Sequence, residues 1–332
     1  MFLVDLGTTV VKYRKFGTLT TAKFPNPLLR YGSDVLTRVS NLSGREKEAS
    51  KTILEKISEH VDEKAMVAAN TINTFMLRGE DFSPLTVFPY GKALPTKVLK
   101  WKDIEIISLP TLDGPVGSDS LVVDWWLQLE QNEEILKIDF GTNIEISIIS
   151  KHSVWTTSVP GGSVFSQQAA LAGEAQVLSW LNHLLSEVLR GHVKRDGSID
   201  IGTATINPAT CKAFLLAKSA VQTAIEELVD LSSIKPKSLF LVGDLGMLLE
   251  PSLLINLALV PANIPIKKVE NAILKALDTL YASYLKQDSI FILDEWIKTN
   301  IHYINFAEES FKNGTSFNTR FLQNLNFELY NL

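Results

Sequence analysis

Val4-Asp5-Leu6-Gly7-Thr8-Thr9-Val10 decides the fold, because it returns in altered form as Ile138-Asp139-Phe140-Gly141-Thr142-Asn143-Ile144. Each copy has an aspartate after an apolar run, then a glycine and two small hydrogen-bonding residues, and then apolar residues again. This order predicts a strand, a tight turn and a second strand. Either copy alone also fits an ordinary β-turn, since Asp and Gly are common in turns. The repetition favours a duplicated fold.

The residue types in these two hairpins suit phosphate binding. Glycine lets the backbone approach a ligand closely, the next residues offer amide and hydroxyl donors, and an aspartate can hold a hydrated cation. Two such hairpins, one from each half of the chain, would hold one phosphate chain from both sides. The sequence has no Gly-x-x-x-x-Gly-Lys-[Ser/Thr] loop, and no Gly-x-Gly-x-x-Gly follows a strand. The hairpins are therefore the phosphate-binding candidates.

The composition is that of an acidic globular protein. The chain has 332 residues, 45% of them hydrophobic and 21% charged, with a net charge of −5 and a pI near 5.7. This length predicts roughly two domains, and the charge argues against nucleic acid as a partner. Cys211 is the only cysteine, which excludes an intramolecular disulfide, a cysteine-based zinc site and a self-contained iron–sulfur cluster. Asp5 interrupts the apolar start, so we expect no signal peptide, no membrane partner and a cytoplasmic location.

Each half begins with a three-strand meander and continues into alternating helices and strands. The polar stretch Gln131–Glu134 separates the halves, so we predict domains at 1–131 and 132–332. Residues 79–100 are rich in Pro and Gly without periodicity and predict a surface excursion. The predicted strands are 2–5, 10–16, 19–24, 66–69 and 104–109 in the first half, and 135–139, 144–150, 153–158 and 238–242 in the second.

In order and spacing, these motifs resemble those of the actin, heat-shock chaperone and sugar-kinase superfamily of ATPases. The two hairpins are similar to its phosphate-1 and phosphate-2 motifs, and Leu241-Val242-Gly243-Asp244-Leu245-Gly246 is similar to its adenosine motif. The resemblance implies an α/β fold of duplicated ribonuclease H-like, actin-like lobes. Each lobe is expected to have a mixed five-stranded sheet flanked by helices, with a nucleotide cleft between the lobes.

Within that superfamily the chain resembles the ATP-dependent reductive activators of corrinoid proteins over almost its whole length. The segments that carry this resemblance are Asn26-Pro27 with the stretch from Arg30 to Val39, Ala69-Asn70-Thr71, Pro115-Val116-Gly117-Ser118-Asp119, the stretch from Asp139 to Ile146, the stretch from Phe214 to Ala220, and the aromatic tail from Tyr303. The resemblance implies ATP and Mg²⁺ as ligands, a corrinoid protein as partner and a separate electron donor. A second copy of the chain is a further candidate partner.

The chain departs from that family in four places, one of which is a Gly- and Cys-containing segment shortened into Leu171-Ala172-Gly173-Glu174. Members usually carry an N-terminal iron–sulfur ferredoxin domain, whereas this sequence begins at the ATPase part. The family's Gly-Pro-Ala-Phe-Glu-Gly corresponds to Gly161-Gly162-Ser163-Val164-Phe165-Ser166-Gln167, which lacks the acidic residue. The adenosine turn reads Gly243-Asp244-Leu245-Gly246 in place of Gly-Gly-Phe-Gly or Gly-Ala-Phe-Gly. Weak or lost ATP hydrolysis is consistent with these changes.

The resemblance assigns roles to single residues. Gly7, Thr8 and Thr9 would donate to the β- and γ-phosphates, Asp5 and Asp139 would hold Mg²⁺ through water, and three acids are candidates for orienting the attacking water. An N-terminal helix cap is the alternative role of Asp34. The remaining nucleotide-binding candidates are Gly141, Thr142, Asn143, Gly161, Gly162, Gly243, Asp244, Leu245 and Gly246, and the three acids are Asp34, Asp119 and Glu145.

Three functions are compatible with these residues. The first is an ATP-binding, ATP-hydrolysing switch of two lobes that couples nucleotide state to a protein partner. The second is a kinase for a small molecule such as a sugar or an acid. The third is a nucleotide-binding pseudoenzyme scaffold, which the changes in the second half favour. The five histidines show no metal-ligand spacing.

Overall fold

The computed structural model describes residues 1–32, 35–87, 91–141, 143–160, 194, 198–201, 204–206, 208–256, 260–306 and 316–325. The chain forms two compact units. The first consists of Met1–Glu130 and Asn271–Ile301, and the second of Gln131–Glu270 and His302–Leu332. No sequence pattern indicates that residues 271–301 return to the first unit, because helical periodicity shows that a helix buries one face but not which sheet it covers.

The first unit is built on strands β1 to β6. Its strands are β1 (Phe2–Leu6), β2 (Val10–Lys15), β3 (Ala22–Pro25), β4 (Lys64–Ala69), β5 (Lys97–Trp101) and β6 (Ile104–Ser108). Its helices are a 3₁₀ helix (Pro27–Tyr31), α1 (Val35–Leu42), α2 (Glu46–Ser58), α3 (Thr71–Arg78), α4 (Ser83–Thr86) and α5 (Ser118–Glu130). The returning segment adds two further helices, which we call α9 (Ala272–Gln287) and α10 (Ile292–Asn300).

The first sheet is mixed and has the strand order β3-β2-β1-β4-β6-β5. β1, β4 and β6 are parallel, whereas β2, β3 and β5 pair antiparallel with their neighbours. Side chains alternate between the two faces of a strand. Val4, Leu6 and Val67 belong to the core that includes residues of α2 and α3. The opposite face of β1 and β4 packs against α9, which also contacts α5.

Buried polar contacts fix the returning helices to the first unit. Arg14 on β2 donates through Nη2 to the carbonyl of Leu274 at 3.0 Å and forms an ion pair with Asp278, both on α9. Thr96 donates to Asp294 on α10 twice, from its amide at 2.8 Å and from its hydroxyl at 2.5 Å. Both helices are therefore integral to this unit.

The second unit contains the remaining elements. Its strands are β7 (Ile135–Phe140), β8 (Asn143–Ile149), β9 (Val154–Pro160), β10 (Ile199–Ile201), β11 (Ala204–Ile206), β12 (Ser238–Val242) and β13 (Ile266–Lys268), with β14 (Ile301–Tyr303) beginning at the unit boundary. Its helices are α6 (Pro208–Ser232), α7 (Gly243–Leu248), α8 (Pro251–Asn256) and α11 (Ser316–Leu325).

The second sheet repeats the plan of the first. Its strand order is β13-β12-β7-β8-β9-β14, with β7, β12 and β13 parallel and β8 and β9 antiparallel. Ile138, Phe140 and Leu241 belong to one core cluster with Val221 of α6 and Leu245 of α7. β10 and β11 form a separate two-stranded sheet. No helix in the described ranges has both the length and the apolar character needed to cross a bilayer.

The two sheets confirm the duplicated α/β fold, but each has six strands instead of the expected five. In the first sheet the additional strand is β5, which lies in the segment expected to be a surface excursion. It is an edge strand whose residues are exposed or half-buried, so it lacks the apolar pattern of a core strand. In the second sheet β13 and β14 have three residues each, which is too short for a detectable pattern.

Candidate functional site

The first hairpin brings an acid and a base together. Asp5 on β1 is paired with Lys12 on β2, so the two side chains lie on the same face of the sheet. The ladder closes at Leu6 and Val11, which leaves residues 7–10 as the turn. A Cβ on Gly7 would lie 2.6 Å from the carbonyl oxygen of Val10, so this turn requires glycine.

Four successive carbonyl groups of the first hairpin accept hydrogen bonds from residues outside the hairpin. Asn73 Nδ2 donates to the carbonyl of Leu6 at 3.0 Å, and Asn26 Nδ2 donates to that of Gly7 at 2.8 Å. Arg38 Nη1 donates to the carbonyl of Thr8 at 2.7 Å, and the amide of Asn26 donates to that of Thr9 at 2.8 Å. Because these carbonyl oxygens already accept hydrogen bonds, the backbone groups of the turn that remain for a ligand are its amide N–H groups. Amide N–H groups are the donors that an anion needs.

Helix α3 starts beside this turn. Asn70 caps it, because its Oδ1 accepts the amide of Asn73 at 2.8 Å. Asn70 Nδ2 also donates to the hydroxyl oxygen of Thr8 at 3.1 Å. The same short segment therefore ends β4, begins a helix and orients a predicted phosphate-binding side chain.

Arg38 connects the turn to the segment that follows the meander. It is fully buried, and its Nε donates to the carbonyl of Gly32 at 2.6 Å in addition to the bond with Thr8. Asn26 makes a parallel connection, since its Oδ1 accepts the amide of Leu28 and so caps the 3₁₀ helix that ends at Tyr31. Both ends of this helix are thus joined to the turn of the first hairpin.

Asp119 lies at the start of α5, near the end of β4. Ser118, its neighbour, accepts the amide of Ala69 at 2.9 Å and donates to the carbonyl of Ala69 at 3.1 Å. A Cβ on Gly117 would overlap the backbone of Ala69 and Asn70 at 2.3 Å. Because Ala69 is paired with Leu6, the half-buried Asp119 lies at the same sheet edge as the first hairpin.

The second hairpin differs in charge from the first. Its turn, residues 141–143, is one residue shorter, and the register therefore pairs Asp139 with Glu145 instead of a lysine. Both carboxylates are more than nine-tenths buried. A Cβ on Gly141 would lie 3.9 Å from Glu145 Oε2 and 4.0 Å from Asp139 Oδ1. Ser158 on β9 donates to Glu145 Oε1 at 3.5 Å.

The turn that follows β12 is packed against Asp139. Val242, the last residue of β12, is paired with Asp139, and Gly243 follows with a φ of 78°. A Cβ at Gly243 would lie 2.4 Å from Asp139 Oδ1. Gly243 is therefore needed both for its left-handed backbone and for the space that the carboxylate occupies.

The other predicted residues of this turn differ in exposure. Leu245 is buried in the core of the second unit, so only its backbone remains to meet a ligand, whereas Asp244 is exposed. Gly246 packs near Leu241 and Phe140. Asp34, Thr142, Gly161 and Gly162 lie outside the described residues.

Sequence reasoning missed four residues that shape the first hairpin. Asn26 and Arg38 lie within the quoted family-like segments, but nothing in the pattern showed that they hold carbonyl groups. Asn73 follows the cap Asn70 by three residues, and Lys12 follows Asp5 by seven. The pairing of Lys12 with Asp5 could be found only by counting the turn length correctly.

In the second unit, Lys137 shares a sheet face with Asp139. It stands two residues before Asp139 on β7 and is fully buried, and residues two apart on a strand lie on one face. A buried cation thus accompanies the two carboxylates. Within the described ranges, no group of three or more His, Cys, Asp or Glu side chains is arranged to hold a metal ion.

The chain has the fold of a solved reductive activator for a corrinoid, iron–sulfur protein. The two share 20% sequence identity with a TM-score of 0.74, over 99% of this chain and 67% of the activator. Weaker likenesses include a 2-dehydro-3-deoxygalactonokinase from Sinorhizobium meliloti (14% identity, TM-score 0.45, over 87% of this chain and 99% of the kinase) and an archaeal actin homologue (11% identity, TM-score 0.40, over 85% and 100%). No protein-family model and no curated protein matches the sequence.

Proposed function

We propose that this protein binds ATP through the two hairpins and couples the state of the nucleotide to a protein partner. The observation that carries the proposal is the occupation of the carbonyl groups of residues 6–9 by Asn26, Arg38 and Asn73. In such a turn the carbonyl oxygens are already hydrogen-bonded and the amide N–H groups remain as donors, which suits the turn to binding an anion. Lys12, on the same sheet face as Asp5, adds a positive charge for phosphate oxygens.

Mg²⁺ fits the residues of the second hairpin. Asp139 and Glu145 are paired across adjacent strands, and the buried Lys137 on the same face supplies one positive charge for two carboxylates, which leaves a net negative charge that a further cation would offset. Carboxylate oxygens are the protein ligands that Mg²⁺ prefers, and it keeps most of its water. When bound, the ion would neutralise charge on the phosphate chain. Asp5 would take part through water, with Lys12 partly offsetting its charge.

For hydrolysis, a water oxygen bonds to the γ-phosphorus while the bond from that phosphorus to the β–γ bridging oxygen breaks, releasing ADP and phosphate. Glu145 and Asp119 are the described acids proposed to orient this water by accepting a hydrogen bond from it. The amides of the first turn would stabilise charge on the transferred group. Asp34, proposed from the sequence for the same role, lies outside the described residues.

The connection from the turn to the surface supports coupling to a partner. Asn26 and Arg38 join the turn to the two ends of the 3₁₀ helix, and that helix ends in Arg30 and Tyr31, whose side chains contact each other. A movement of the turn on nucleotide binding would therefore be transmitted through the 3₁₀ helix to Arg30 and Tyr31. By likeness of fold to the activator, we propose a corrinoid protein as the partner, reduced by electrons from a separate donor.

Isothermal titration calorimetry with ATP, ADP and Mg²⁺ tests the binding proposal. We expect the wild type to bind ATP at a ratio of one to one, and Gly141→Val and Asp139→Ala to bind at least about tenfold more weakly. A wild type that binds no nucleotide, or hairpin variants that bind as well as the wild type, would overturn it. Phosphate release with and without an added corrinoid protein then measures hydrolysis and coupling; binding without turnover in both cases would identify a scaffold.

A further inference from the structure

Lys137 is a fully buried lysine on β7. Its neighbours on the strand, Leu136 and Ile138, belong to the core cluster that includes residues of α6, so Lys137 points to the opposite face of the sheet. Asp139, two residues further along the strand, points to that face as well. A buried ammonium group costs free energy unless polar or charged groups lie near it, so the other residues of this face decide what Lys137 can do.

The residues directly beside Lys137 on the neighbouring strands carry no charge. Phe240 on β12 and Ser147 on β8 are paired with Lys137. Phe240 is an aromatic residue, and Ser147 Oγ lies 2.9 Å from Thr156 Oγ1 on β9. The row of side chains that contains Lys137 therefore supplies no negative charge on these strands.

On β7 and β8, negative charge lies to one side of Lys137. Towards the start of β7 the next pair on this face is Ile135 and Ile149, both buried and apolar. Towards its end the next pair is Asp139 and Glu145. A diagonal neighbour on the adjacent strand is about 7–8 Å away, within reach of a long side chain. These two carboxylates are thus the negative charges of the two strands that the ammonium group can meet.

The first sheet has a different arrangement at the corresponding positions. Leu3 on β1 stands two residues before Asp5, in the place of Lys137. The partner of Leu3 on β2 is Arg14, which forms an ion pair with Asp278 on α9. In the second sheet the cation belongs to the strand that carries the motif aspartate. The backbone therefore fixes this cation beside that aspartate.

The charge of the second hairpin affects when a metal ion can bind there. One ammonium group and two carboxylates leave a single negative charge in excess, which attracts only weakly a divalent cation that holds its water tightly. The phosphates of a nucleotide bring further negative charge. We propose that Lys137 is a positioning residue that offsets the charge of Asp139 and Glu145, so that the second hairpin takes up Mg²⁺ together with nucleotide phosphates and not alone.

This inference rests on the proposed nucleotide site, but its test needs no nucleotide. Mn²⁺, which prefers the same oxygen ligands as Mg²⁺, is titrated into the ligand-free protein, and the electron paramagnetic resonance signal of free Mn²⁺ reports binding. Lys137→Met removes the charge and keeps the length of the side chain. We expect it to bind Mn²⁺ at least about tenfold more tightly than the wild type. Lys137→Arg, which keeps the charge, should bind as weakly as the wild type.

The double variant Lys137→Met/Glu145→Gln is the matched control. Its hairpin has the same excess of one negative charge as the wild type, so it should bind Mn²⁺ no more tightly than the wild type does. In thermal melts without metal, Lys137→Met should be less stable than the double variant, because two buried carboxylates face each other without a cation. Mn²⁺ should raise the melting temperature of Lys137→Met more than that of the wild type.

Each result has a definite meaning. If Lys137→Met binds Mn²⁺ no more tightly than the wild type, or if the double variant or Lys137→Arg binds it as tightly as Lys137→Met, the charge of Lys137 does not limit metal binding and the inference is wrong. A Lys137→Met protein that stays unfolded even with Mn²⁺ would show a purely structural role and would also overturn it. A wild type that binds no ATP in calorimetry refutes the proposed function instead, whatever the Mn²⁺ titrations show.

Discussion

Asp139 and Glu145 stand directly opposite each other on β7 and β8, and both are more than nine-tenths buried. The corresponding position opposite Asp5 is held by Lys12. A turn shorter by one residue therefore changes the partner of the motif aspartate from a base to an acid. The first hairpin balances one carboxylate with one lysine, whereas in the second the buried Lys137 shares a face with two carboxylates, which leaves a net negative charge. We infer that the first is the anion-binding turn and the second the one that attracts the cation.

Glu145→Gln tests this difference. It keeps the shape of the side chain and removes one of two facing charges, so the ligand-free protein should gain about 0.2–1 kcal/mol of stability. The Mg²⁺-dependent part of nucleotide binding should fall roughly tenfold. Thermal melts and calorimetry with and without Mg²⁺ measure both effects. Lys12→Met is the contrasting variant, expected to weaken nucleotide binding equally in both conditions; identical behaviour of the two variants would contradict the division of roles.

Gly243→Ala should lower the stability of the fold by more than the left-handed backbone of Gly243 alone explains. Gly243 and Gly17 have nearly the same φ, 78° and 77°, but a Cβ at Gly17 meets nothing within 4 Å. Gly17→Ala should cost about 1–2 kcal/mol from the left-handed backbone. Gly243→Ala should cost more, because its Cβ would also displace Asp139, and it should weaken nucleotide binding. Urea denaturation of both variants gives the difference, and equal losses would show that Asp139 moves without cost.

Arg38→Lys should weaken nucleotide binding without touching the ligand. A lysine has one ammonium group and cannot repeat the two bonds to Thr8 and Gly32. Leaving a buried carbonyl without a donor costs about 1–3 kcal/mol, and the turn loses its fixed shape. Both the melting temperature and the affinity for ADP should fall. Arg45→Lys, on the surface, should change neither; an Arg38→Lys protein with normal ADP affinity would argue against the positioning role.

Arg78 should contribute to stability with little pH dependence near neutrality. It donates to Ser108 Oγ and to the carbonyls of Pro95, Ser108 and Leu109. Burial lowers its pKa to about 10, so both the folded and the unfolded chain keep the charge below that pH. Only above about pH 10 does the folded chain release the proton first, and there the contribution of this group to stability rises with pH.

The measurement for Arg78 is the stability difference between the wild type and Arg78→Met. The variant leaves the acceptors of Arg78 without a donor and should lose several kcal/mol. Between about pH 6 and pH 9 this difference should stay constant in urea titrations. A difference that changes steadily over that range would mean that another titrating group depends on Arg78.

A fragment of residues 1–131, the first domain predicted from the sequence, should not fold on its own. It lacks α9 and α10, so Arg14 would lose Asp278, and Thr96 would lose Asp294. The face of β1 and β4 that packs against α9 would be exposed to water. Circular dichroism and amide exchange of the fragment, compared with the whole chain, check this; cooperative unfolding of the fragment would contradict it.

Local chemistry made much of the fold predictable. The motif around Asp5 and its repeat at Asp139 indicated both hairpins. What escaped prediction depends on distant parts of the chain. The hydrogen bond from Arg38 to Thr8 and the placement of α9 beside β1 are tertiary relations that neither periodicity nor spacing records. The short edge strands β13 and β14 contain too few residues to carry a pattern.

The return of residues 271–301 to the first unit also has a consequence for synthesis on the ribosome. Chains generally fold domain by domain from the N-terminus as they emerge. Here the first unit cannot complete its core until residue 301 has left the exit tunnel, after almost all of the second unit has been made. During that interval Arg14 and the uncovered side of β1 are exposed in the nascent chain. This is a period in which chaperone binding would have the most effect on yield.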